Sequence, residues 1–113
     1  MNNQFIPKEL EKILIVLGFD YTQRVHLIFK EKKYYGILWQ QAFDWFRDTL
    51  LFDSWITPYW FIDGEFKQKR YTFSIEPSNN FDEYFDCKAE DYDTYEEARL
   101  ECLKNLIEIV KNK

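Results

Sequence analysis

The chain has 113 residues, 46% hydrophobic and 31% charged, with a net charge of −5. That balance belongs to a folding chain and excludes a disordered one, which joins low apolar content to high net charge. The length suits a single domain over 1–113 and is long enough to bury a core without a disulfide or metal staple.

Met1-Asn2-Asn3-Gln4-Phe5 has neither the basic region nor the apolar run of a secretory signal, so a soluble, cytoplasmic protein is expected. Pro7 suits a first helical turn, and Leu10, Ile13, Leu14 and Leu17 follow at amphipathic spacing. Gly18 should end this helix as a left-handed cap, with Phe19 packing back on it. Within it lies the longest apolar run, Ile13 to Leu17, far short of the roughly 20 residues that span a bilayer, and no membrane role is expected. From Arg24 to Lys30 the pattern alternates, Val25, Leu27 and Phe29 against Arg24, His26 and Lys30, as in a half-buried strand. Ile28 breaks the alternation. Glu31-Lys32-Lys33 reads as a charged connector.

Leu38, Ala42, Trp45, Phe46 and Thr49 recur at helical spacing and predict a second helix over 38–51. Trp55 to Ile62 is aromatic and β-branched, Asp63-Gly64 is a turn dipeptide, and Tyr71, Phe73 and Ile75 alternate strictly. These features predict an antiparallel hairpin with strands near 55–62 and 69–76. Pro58 lacks a backbone donor and places its strand at an edge or a bulge. Pro77-Ser78-Asn79-Asn80 interrupts the pattern, and Phe81 to Asp93 reads as an acidic loop with a short extended piece around Phe85 to Ala89. Thr94-Tyr95-Glu96-Glu97 is a capping box opening a third helix. Its polar face carries Glu97, Glu101, Lys104, Glu108 and Lys111, and its apolar face Ala98, Cys102, Leu106, Ile109 and Val110. Leu106 and Ile109 are expected in the main core. The expected fold is α+β, three helices packed on a small antiparallel sheet of about three strands, in the order α-β-α-β-β-α.

Three stretches carry a resemblance: Phe5-Ile6-Pro7 through Leu17-Gly18-Phe19-Asp20, Trp39-Gln40-Gln41-Ala42-Phe43-Asp44-Trp45-Phe46-Arg47, and Tyr95-Glu96-Glu97-Ala98 through Leu106-Ile107-Glu108-Ile109-Val110-Lys111. Together they resemble a family of short uncharacterised proteins of Bacteroides-type gut bacteria and their phages, with order and approximate spacing kept. Between Tyr21 and Leu38, and from Ser54 to Asp93, nothing matches. The resemblance implies a source and a fold and brings no activity.

No catalytic constellation emerges. His26 is the only histidine and has no Cys or Ser partner in motif context. Cys87 and Cys102 stand in no metal-ligand or redox spacing and read as buried or incidental thiols. One histidine and two cysteines, dispersed, do not make a zinc site, and Gly18, Gly36 and Gly64 stand alone rather than in a phosphate loop. No enzyme, cofactor or metal is expected.

Residues 1–81 hold ten basic and ten acidic side chains, and residues 82–113 five basic and ten acidic, so the net charge resides in the C-terminal third. Asp82, Glu83, Asp86, Glu90 and Asp91 form an acidic segment. Its plain reading is a solvated loop with favourable acids at a helix start. The functional reading is a docking surface for a basic partner, including nucleic-acid mimicry. A calcium loop is disfavoured for want of ordered ligand spacing and a central glycine. Binding to a nucleic-acid backbone is disfavoured by the net charge, although Lys67, Lys69 and Arg70 cluster beside the hairpin.

The second candidate is aromatic: Trp55, Tyr59, Trp60, Phe61 and Tyr71. On alternating strands about half of such residues face away from the core, where Trp and Tyr serve as binding hot spots, although core or edge packing is the plainer reading. Were Tyr59, Trp60 and Tyr71 to line a concavity next to Arg70, stacking and one cation could hold a nucleotide or another planar anion. The expected function is that of a non-enzymatic accessory protein, of phage or mobile-element type, that binds another protein. The alternative is a small-ligand binder, such as a phage protein sequestering a nucleotide signal. Oligomeric state is left open.

Overall fold

A computed structural model describes residues 4–77 and 91–112. Their order is α1 (Lys8–Leu17), a 3-10 turn (Tyr21–Gln23), β1 (Val25–Phe29), β2 (Lys32–Gly36), α2 (Trp39–Asp48), β3 (Phe52–Asp63), β4 (Phe66–Pro77) and α3 (Tyr95–Lys111). The α+β class and the helix count match expectation. The strands do not form one sheet of about three. They form two antiparallel pairs, β1 with β2 and β3 with β4, in the order α-β-β-α-β-β-α. By its contacts the chain divides into two compact units, Met1–Trp45 and Phe46–Lys113.

In the first unit, α1 begins behind Pro7, whose carbonyl accepts from the N–H groups of Leu10 and Glu11 at 3.0 Å each. It ends as the sequence predicts. Gly18 takes φ +118°, its N–H reaches the Ile15 carbonyl at 3.1 Å, and that of Phe19 reaches Leu14 at 2.9 Å. Those are the two bonds of a Schellman cap, and the left-handed residue between them favours glycine. Phe19 is buried and meets the Trp45 ring edge-on at 5.8 Å. Leu10, Leu14 and Ala42, each expected on an apolar helix face, are buried, and so is Ile37.

The added strand explains the changed order. Phe29 pairs with Lys32, which leaves Lys30 and Glu31 as a two-residue loop, both with positive φ (+49° and +65°). Two left-handed residues in a row make a I′ turn, whose twist matches that of the strands it joins. The segment read as a charged connector is therefore the turn and the start of β2. On the outer face of this pair His26 stacks on Tyr35, with ring centroids 5.7 Å apart. Beside them the guanidinium of Arg24 and the ammonium of Lys8 lie over the Tyr35 ring at 4.9 and 4.7 Å. Both cations also neutralise the buried carboxylate of Glu11, at 3.8 and 3.4 Å.

Helix α2 is shorter than the expected 38–51. Gln41 caps its start by accepting the Leu38 N–H at 2.9 Å, and Leu51 at φ +63° turns the chain into β3. Ala42 and Phe46 are buried, whereas Thr49 is exposed.

In the second unit β3 and β4 pair over their whole length, Phe52 with Pro77 through Asp63 with Phe66, around a loop of Gly64 and Glu65. Gly64 has φ +61°, and glycine at the first central position is what a II′ turn needs. Residues directly opposite share a face. One face of the proximal half therefore gathers Phe52, Phe73 and Ile75, all buried. Helix α3 packs on this pair. Its first turn is held by Thr94, whose hydroxyl accepts the Glu97 N–H at 3.1 Å. Ala98, Cys102, Leu103, Leu106 and Ile107 are buried, while Ile109 and Val110 are half-buried. The buried stripe is therefore rotated toward Leu103 and Ile107, and the expectation for Ile109 is corrected.

Candidate functional site

The pleat of the long hairpin decides where the aromatic residues go. Tyr59 lies opposite Arg70, and Trp55 lies two pairs further down on the same face, opposite Ser74. Trp60 lies opposite Lys69 and Tyr71 opposite Pro58, both on the other face, which lower down carries the core residues Phe73 and Ile75. The structure thus brings Trp55, Tyr59 and Arg70 together on one side and leaves Trp60 and Tyr71 on the reverse.

On the first side Arg70 is already engaged. Its guanidinium donates to the Asp93 carboxylate at 2.6 Å and to the Asp91 carbonyl at 3.0 Å. The Tyr59 hydroxyl donates to the Asp91 carboxylate, which holds its pKa above that of an ordinary phenol. Asp91, reached from the acidic segment, is thereby a structural partner of both site residues. Asp82, Glu83, Asp86 and Glu90 lie outside the described residues.

On the reverse side Tyr71 is tied to the chain that enters α3. Its N–H and carbonyl exchange bonds with Tyr92 at 2.9 and 2.8 Å. Its ring meets Tyr95 edge-on at 6.2 Å, and Lys69 lies 5.8 Å from the ring centre. The Tyr92 ring stacks on Phe73 at 6.1 Å. These bonds also settle the role of Pro58. Because the polar backbone groups of Tyr71 point away from β3, the Tyr71–Pro58 pair is a non-hydrogen-bonded one and the nitrogen of Pro58 faces outward. The proline costs the ladder no bond and interrupts the outer edge of β3.

Toward the tip beyond Tyr59 and Tyr71, where the Gln68 amide still donates to the Asp93 carboxylate at 3.4 Å, the apolar side chains stand open. Trp60 and Ile62 are each 62% exposed on one face; Phe66 and Phe61 are 56% and 47% exposed on the other, in edge contact with each other at 6.4 Å. Trp55, nearer the base, is 45% exposed. Sequence reasoning singled out Trp60 and missed Ile62 and Phe66, although counting pairs outward from Gly64 places both beyond the reach of α3. Among the described residues no group of His, Cys, Asp and Glu is arranged to hold a metal ion, and no helix is long and apolar enough to cross a membrane. No family model, curated protein or solved structure matches the chain.

Proposed function

We propose that the chain is a non-enzymatic accessory protein, of phage or mobile-element type, that acts by binding another protein through the distal half of the β3–β4 hairpin. The observation that carries this reading is the exposure of Trp60, Phe61, Ile62 and Phe66 on both faces of one projecting element. Together they leave on the order of 400 Å² of apolar surface open, about half on each face, and exposed apolar patches mark interaction sites. Aromatic side chains are the anchors that dominate such interfaces. The alternative of a planar anionic ligand is less well served. The one cation proposed for it, Arg70, is occupied by Asp93, and the aromatic residues meant to surround it are divided between two faces.

Benzoylphenylalanine placed at Phe66 should photo-cross-link one defined protein in lysate of the source cell. The same probe at exposed Val16, in the other unit, should not. Equal labelling from both positions would refute the assignment.

A further inference from the structure

The hairpin offers a partner backbone as well as side chains, and its two edges differ. Along β4 the residues whose N–H and carbonyl groups point away from β3 are those in step with Tyr71, namely Lys69 and Lys67 toward the tip. At Tyr71 that edge is used by the chain itself. Tyr92 makes a two-bond antiparallel bridge there, and its neighbour Asp93 ion-pairs with Arg70 at 2.6 Å. The pairing then stops, because Thr94 starts α3. Among the described residues nothing pairs with the outward backbone of Lys69 and Lys67. Their side chains are exposed and share a face with exposed Trp60 and Ile62. The outer edge of β3, in contrast, is interrupted by Pro58.

We infer that the distal edge of β4 takes an extended acidic and aromatic segment of a partner protein as an added strand, continuing the pairing that Asp91-Tyr92-Asp93 begins. Charge complementarity selects the occupant: carboxylates to meet Lys67 and Lys69 on one face and, at the alternating positions, aromatic or apolar side chains to lie against exposed Phe66 on the other. Main-chain hydrogen bonds supply affinity in such strand addition, and alternate side chains supply specificity. The inference rests on the protein-binding reading and narrows it to a class of partner.

The test uses the full chain and a fluorescein-labelled peptide of alternating aspartate and tyrosine. Fluorescence anisotropy should report binding that weakens as salt rises. A peptide with lysine in place of aspartate should bind about tenfold more weakly or worse, as should Lys67→Glu with Lys69→Glu against the parent peptide. N-methylation of one alternate set of peptide amides, the set facing β4, should abolish binding, and methylation of the other set should not. In amide spectra the signals of Lys67 and Lys69 should move on titration.

Equal binding of the lysine peptide, equal tolerance of both methylated sets, or shifts confined to Trp60 and Ile62 would each overturn the inference. So would sedimentation showing that a second copy of the chain occupies this edge. Should the peptide fail while cross-linking from position 66 still captures a partner, strand addition is refuted and the protein-binding reading stands. Failure of both refutes both.

Discussion

Truncating Leu106 to alanine tests whether α3 covers the long hairpin as described. The side chain is fully buried on the stripe shared with Ala98, Cys102, Leu103 and Ile107. Losing three carbons forfeits about 2.4 kcal/mol of transfer free energy at about 0.8 kcal/mol per carbon. The cavity left behind, in a helix pinned on both sides of the site, raises the loss to about 3–4 kcal/mol. Ile109→Ala, at a half-buried position, should cost about 1–2 kcal/mol. Urea titration followed by far-ultraviolet circular dichroism reads both, with the slope expected to stay constant. A loss under about 0.5 kcal/mol at Leu106 would mean that the helix lies outside the core. Equal losses at the two positions would mean that the buried stripe runs through Ile109, as the apolar pattern of the sequence suggests, and not through Leu103 and Ile107.

The turns give a pair of opposite signs. Gly64→Ala, at φ +61°, should cost about 1–2 kcal/mol, whereas Glu31→Gly, at φ +65°, should stabilise by up to about 1 kcal/mol; thermal unfolding of each variant checks the sign. Tyr59 should titrate above an ordinary tyrosine in nuclear magnetic resonance of ring-labelled protein, and Asp91→Asn should lower its pKa. Because the folded phenol holds its proton more tightly, its contribution to stability is present at neutral pH and is lost as pH rises through the raised value. Trp60→Ser should leave stability within about 0.5 kcal/mol by urea titration, since the side chain is largely in solvent; a larger loss would mean that it is packed.

Elements announced by a local chemical signal were legible in the chain itself. Gly18 with Phe19, Thr94 with Glu97, and the alternation of Tyr71, Phe73 and Ile75 each reflect a backbone need that few residues meet. β2 was not legible, because its turn is made by Lys30 and Glu31, which take left-handed conformations without the Asn or Gly that would signal them. The aromatic site was legible only in part. Tyr59, Trp60 and Phe61 are consecutive, so the pleat must divide them, but the faces become known only once Gly64 sets the register. That Arg70 is engaged by Asp93, 23 residues away, depends on the Tyr71–Tyr92 bridge that brings the two together, and no local pattern encodes it. The helix stripe was misplaced by one column because Leu103 and Ile107 pack as well as Ile109 and Val110, and the choice between them belongs to the sheet.

The most direct measurement of the binding claim is amide hydrogen exchange of the chain alone and with the partner captured by cross-linking at position 66. Protection is predicted to rise over residues 60–69 on complex formation, with α1 and the β1–β2 pair unchanged. Protection confined to α1 or to β1–β2, with 60–69 exchanging as in the free chain, would contradict it.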